Sequence, residues 1–158
     1  MLTFGSKQAN VHYSDRRAAY IVIVDREGRV AMVSGNRQKG DRNGFLPGGG
    51  SLPGEAAEDT VAREITEEVG RSVRGIRKLE EVRQYFFSES DNCHYNMHAI
   101  FFTGEFVEES LGEGKCGEHE LYWLPATEAA TACFHECHAW AIHERLNQPD
   151  HSYFSFVN

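Results

Sequence analysis

The chain has 158 residues, 41% of them hydrophobic, and a formal net charge of −8. That length fits one domain with a core of its own and suggests no second, so residues 1–158 are expected to form a single domain. The acidic balance argues against nonspecific attraction to nucleic-acid backbones or anionic lipid, and an acidic protein that handles phosphates must recruit cations locally.

Residues 1–10 are mixed and polar, with no apolar segment of signal-peptide or membrane length, and a cytosolic protein is expected. Cys93, Cys116, Cys133 and Cys137 include no close CxxC pair and are expected to be free thiols. Cys133 and Cys137 have His135 and His138 beside them, but the usual zinc-finger spacing is missing and zinc is not expected there.

In chain order, residues 1–17 read as an irregular lead-in or a short edge strand. Residues 18–24 (AAYIVIV) form a continuous, β-branched apolar run, as in a central strand buried on both faces. A turn at DREG leads into residues 29–34 (RVAMVS), and the two segments are expected to pair as a hairpin. Residues 35–44 (GNRQKGDRNG) carry Arg37, Lys39 and Arg42. Two readings stand: an ordinary solvated loop, or cations placed to meet a phosphate or the rest of a nucleotide, with Arg37 preferred.

After the FLPGGG turn, Val61, Ala62, Ile65 and Val69 fall at helical spacing, and Gly70 supplies the left-handed stop. At about 100° per residue Glu64, Glu67 and Glu68 occupy one adjoining arc. Like charges so close call for something positive between them, and a hard divalent cation such as Mg²⁺ suits oxygen ligands on an open arc. The alternative is a merely solvated glutamate-rich face.

Residues 74–88 and 93–107 read as two long β-segments joined by a tip at 89–92, their aromatics mostly core, with one or two able to stack on a base. Residues 108–118 form a polar loop, 121–124 a short strand, and 127–147 an amphipathic helix expected to pack on the sheet opposite the first helix. The tail at 148–158 has aromatics that suggest docking. Together these elements describe an α/β/α sandwich, a mixed β-sheet between helices.

Gly49, Glu55, Arg63, Glu64, Ile65, Glu67, Glu68 and Gly70 stand at the spacing G, five residues, E, seven residues, RE, apolar, any, EE, any, G, and over residues 49–71 the chain resembles the Nudix hydrolases. One position departs: the closing apolar place is Arg71, where a local packing change is expected. The resemblance implies Mg²⁺-dependent hydrolysis, with Mn²⁺ as substitute, of a nucleoside diphosphate linked to another moiety. It implies metal ligation by Glu64, Glu67 and Glu68 with a carbonyl from Gly48 or Gly49, and support of loop and helix by a Glu55 to Arg63 pair. The candidates for chemistry are Glu64, Glu67 and Glu118. Glu64 or Glu118 would take the proton from water, and Glu120 is a second, less favoured loop residue. The implied partner is a small nucleotide-type substrate, with neither membrane nor extended nucleic acid, and homodimers are common in the family. Two other readings stand: a nucleotide-sensing module without catalysis, disfavoured by the intact glutamates, and, as a minor option, an RNA-end processing hydrolase, whose polyanionic substrate would prefer a basic channel where only the Arg37 to Arg42 cluster is found.

Overall fold

The computed structural model describes residues 1–34, 43–107 and 119–148. Arg37, Cys116, Glu118 and the tail beyond 148 lie outside the described residues. In order, the elements are β1 (Leu2–Phe4), β2 (Ser14–Val22), β3 (Arg29–Ser34), β4 (Gly44–Phe45), β5 (Gly48–Gly50), α1 (Ala57–Val69), β6 (Val73–Ser88), β7 (Cys93–Phe106), β8 (Leu121–Pro125), α2 (Ala126–Ala132) and α3 (Glu136–Asn147).

A five-stranded mixed sheet runs in the order β1-β6-β7-β2-β5, and a second, three-stranded sheet in the order β4-β3-β8. β2 is an inner strand, between β7 and β5, and the apolar run that begins in it faces both ways. Ala18, Tyr20 and Val22 face one core cluster, and Ala19, Ile21 and Ile23 face the other. The second cluster takes Val61 and Ile65 of α1; the first takes Ala129, Cys137, Ala141 and Ile142 of α2 and α3. The helices thus cover opposite faces, as an α/β/α sandwich requires. Burying Val61 and Ile65 completely contributes about 1.5–3 kcal/mol each.

Three expectations need correction. β2 starts at Ser14, not Ala18, because residues 14–17 pair in parallel with Tyr95–His98 of β7 while their side chains remain partly exposed. β2 and β3 do not form a hairpin ladder: they belong to different sheets and are joined through a single Val24 to Val30 bridge. The final helix is broken. Cys133 and His135 are extended, and the Phe134 N–H donates to the Gly44 carbonyl at 2.9 Å, so the chain leaves the helix to fasten the second sheet.

Candidate active site

β5 is a strand of three glycines laid against β2, with Ala19 opposite Gly49 and Tyr20 opposite Gly48. At Gly48 φ is +143°, and a Cβ there would sit 2.2 Å from the Ala19 carbonyl oxygen. At Gly49 a Cβ would sit 2.6 Å from the Glu64 carboxyl carbon. Hydrogen alone lets this strand pass beneath the first carboxylate of the α1 arc.

α1 begins after the Pro53-Gly54 turn, with Glu58 and Asp59 in its first turn complementing the helix dipole. It ends on Gly70 at φ 66°, whose N–H returns to the Thr66 carbonyl. Arg71, at the position where an apolar residue was expected, lies with its guanidinium 5.0 Å from the Phe106 ring centre. A cation resting on an aromatic face seats the helix end in place of an aliphatic chain.

Arg63 organises the acidic face. Its Nε donates to Glu55 Oε2 at 2.9 Å and its Nη2 to Glu55 Oε1 at 3.0 Å and to the Gly50 carbonyl at 2.9 Å. Its Nη1 reaches Glu64 Oε1 at 3.1 Å and Glu67 Oε2 at 3.2 Å. The forked hydrogen bonds of Arg63, with help from the Leu52 N–H and the Thr60 hydroxyl, hold the Glu55 carboxyl down at about 2. The same contacts raise the Arg63 pKa, and the guanidinium is permanently charged.

The three α1 carboxylates diverge in role. The Glu64 side chain is 18% exposed against 51% for Glu67. Burial therefore pushes the Glu64 carboxyl above its ordinary 4.5, against the pull of Arg63, while the Glu67 charge adds to the rise and Arg16 opposes it. Glu68 is buried and turns away from Arg63, its Oε1 accepting from the Gly48 N–H at 2.9 Å. Among the described residues no three His, Cys, Asp or Glu side chains are drawn together around one point, since Arg63 stands between Glu64 and Glu67. The donor set is nonetheless that of a hard cation. It offers carboxylate oxygens of graded burial above a glycine strand that no Cβ fills.

Two contributors carry no motif in the sequence. Arg16, on β2, stands across Gly50, with Nη2 3.3 Å from the position a Cβ would take, and its guanidinium is 5.8 Å from the Tyr95 ring centre. Period-2 alternation from Tyr20 puts it on that face, but its polar surroundings conceal the strand. His138 lies fully buried in an aromatic box with Tyr20, Phe45 and Phe101, and its Nδ1 accepts from the Leu46 N–H at 3.1 Å. That bond places the ring proton on Nε2. Cys133 donates to the Ala129 carbonyl at 3.2 Å, and burial raises its thiol to about 12. Glu120 is exposed beside β8.

A family model described as the NUDIX domain matches residues 14–144. The chain belongs to the Nudix family. The matched span runs from the first residue of β2 into α3, so the family unit takes in both core clusters and both helical layers. Among solved Nudix-fold structures, the E. coli dihydroneopterin triphosphate pyrophosphohydrolase superposes with a TM-score of 0.67 at 19% identity, covering 84% of this chain and 95% of that one. The MutT protein from Methanosarcina mazei Go1 gives 0.61 at 19%, covering 89% and 100%. These likenesses show the fold alone. The RNA pyrophosphohydrolase of Serratia proteamaculans (strain 568) is 40% identical over 65 residues, 41% of this chain. The match spans 35% of that relative's length.

Proposed function

We propose that this Nudix protein is a divalent-metal-dependent pyrophosphohydrolase that cleaves the diphosphate linkage of a nucleoside diphosphate derivative. The observation that carries this reading is the Arg63 hub, which fixes Glu55, Glu64 and Glu67 on one face above the Gly48–Gly50 strand. Glu64, Glu67 and Glu68, with the Gly49 carbonyl, would hold the cation, Mg²⁺ or in its place Mn²⁺. When bound, it supplies positive charge against the diphosphate and acidifies water.

The remaining tasks fall to the chain. Glu64, raised above the ordinary carboxylate range by burial, is the proton acceptor within the described residues, and Glu118 the candidate in the loop beyond them. Glu55 and Arg63 keep loop and helix in register, leaving Glu64 and Glu67 free of rotamer search. Arg16 is placed to meet substrate charge beside Gly50. The half-buried rings of Phe45, Phe86, Tyr95 and Phe134 form a wall on which a base stacks. Similarity to RNA pyrophosphohydrolases favours including a 5′-pyrophosphorylated RNA end among the substrates.

The test is phosphate release, coupled to a phosphatase, from nucleotide sugars, dinucleoside polyphosphates, oxidised nucleotides and 5′-triphosphorylated RNA, with Mg²⁺, Mn²⁺ or chelator. Metal-dependent turnover of one class is expected. Glu68→Gln should stay folded and lose about a hundredfold or more of that turnover. Wild-type turnover in this variant would remove Glu68 from the site. Silence across the panel, with calorimetric binding of one nucleotide, would replace the enzyme by a sensor.

A further inference from the structure

The face of the five-stranded sheet that carries α1 continues past the buried Ala19 and Ile100 into a polar row. Arg17 on β2 stands opposite His98 on β7, and His98 opposite Arg83 on β6. Neighbouring strands lie about 4.8 Å apart, so three side chains sharing one row and one face come within reach of one small ligand. With Met1, Asp15, Arg16 and Asn96 they line a cleft of about 450 Å³.

The carboxylates nearby are already engaged. Glu81 takes Lys78 and the His98 Nε2, the latter at 3.1 Å, and Asp15 accepts from the Asn96 amide at 3.0 Å. Arg17 Nη1 donates to the Glu55 carbonyl at 3.3 Å, and the Arg17 carbonyl accepts from the Ser51 N–H at 2.8 Å, which ties the row to the signature loop. Arg83 is the exception. Among the described residues its side chain forms no ion pair or hydrogen bond, and its Nε is buried without a partner, as is the Oδ1 of Asn96 in the same cleft. A guanidinium nitrogen stripped of water and given no acceptor is costly, and in a chain of net charge −8 an internal acceptor would have been easy to supply.

We propose that Arg17, His98 and Arg83 form a second anion site that takes a phosphate group, distinct from the carboxylate face of α1. A tetrahedral oxyanion presents oxygens to the two arginine forks, which match its edges, and to the Nδ1–H that the His98 imidazolium carries while its Nε2–H stays on Glu81, whereas a carboxylate offers two oxygens in one plane. Free phosphate and the terminal phosphate of a nucleotide or oligoribonucleotide share this chemistry. The site does not depend on the pyrophosphohydrolase reading.

The experiment is an NMR titration of the full-length, isotope-labelled protein with inorganic phosphate in chelator, following the Arg17 and Arg83 Nε–H signals and the His98 ring. Saturable shifts of all three are expected, weakened about tenfold by Arg83→Gln with the amide spectrum otherwise preserved. Repeating the titration with a 5′-phosphorylated hexaribonucleotide separates the sources: tighter binding assigns a nucleotide chain and equal binding assigns free phosphate, and both uphold the site. Shifts that never saturate, or that saturate equally in Arg83→Gln and Arg17→Gln, overturn it. If Arg83→Gln does not fold, Arg83→Lys keeps the charge, loses the fork and gives the same readout.

Discussion

Leu46 and Gly48, two residues apart, are gripped from opposite faces of the molecule by unlike chemistry. On the α1 side the Gly48 N–H meets the Glu68 carboxylate, within a face of glutamates organised by one arginine. On the α3 side the Leu46 N–H meets His138, a neutral imidazole enclosed by aromatic rings. The α1 side is partly wet and charged, so its bonds are exchanged readily when a charged ligand arrives. The α3 side is dry, and its ring has no alternative partner for Nδ1. A site that must rearrange charge is thus built against a dry, uncharged wall.

The largest effect should come from spoiling the strand common to both sides. Gly48→Ala places a Cβ 2.2 Å from the Ala19 oxygen in a backbone conformation that alanine rarely adopts. A loss of about 4 kcal/mol or more is expected in urea unfolding; a loss below about 1 kcal/mol would show that β5 relaxes freely.

Acid should then separate the two sides. Burial holds His135 down at about 3 and His138 well below the ordinary 6.5. The unfolded chain takes up these protons near pH 6.5 and the folded chain does not. Stability is therefore full above that value and falls as pH drops below it, by about 1.4 kcal/mol per unit for His135 down to about 3, with His138 adding a loss of the same sign. Protonating His138 also turns its Nδ1 into a donor and ends the bond to Leu46. Glu55, depressed to about 2 from 4.5, adds a loss of the same sign only between those values. Urea midpoints between pH 7 and 5 should fall accordingly, and His135→Phe should remove about half of the slope; an unchanged slope would place the titration elsewhere.

The smallest effect belongs to His138→Phe. It strands the Leu46 N–H but also removes the Nε2 proton, which is buried without a partner. The two changes oppose each other, and a net loss of about 1 kcal/mol is expected by thermal unfolding. A loss above about 3 kcal/mol would mean that the imidazole does more than hold Leu46.

What could be read from the sequence follows from where the forces act. α1, its Gly70 stop and the β6 to β7 pair with its tip are local, and each stands where the residues placed it; the ion pair of Glu55 with Arg63 lies within the stretch that the motif spans. The start of β2 was hidden because Ser14, Asp15, Arg16 and Arg17 are polar and owe their strand to a partner far along the chain. The break between α2 and α3 contains neither glycine nor proline; a bridge between Gly44 and Cys133 imposes it, and no helical pattern announces such a contact. Within the site, the carboxylates carried a pattern, whereas Arg16 and His138 reach it only through the tertiary fold. The divergence of Glu68 from Glu64 and Glu67 depends on the Gly48 amide, which helical geometry alone does not include.

The place of β2 between β5 and β7 governs the order in which the protein can assemble. Thr103 donates to the Val22 carbonyl across 81 residues of sequence, so a chain leaving the ribosome holds its most apolar strand with one edge open until Phe106 has emerged. Closing so long a loop is slow relative to forming α1. In pulse-labelled refolding, protection of the Tyr20 amide, which faces β7 because the neighbouring Ile21 N–H faces β5 and donates to the Pro47 carbonyl, should rise together with that of β7 and later than that of α1; simultaneous protection with α1 would exclude this order. The carboxylates are synthesised early, but the floor beneath them is finished late.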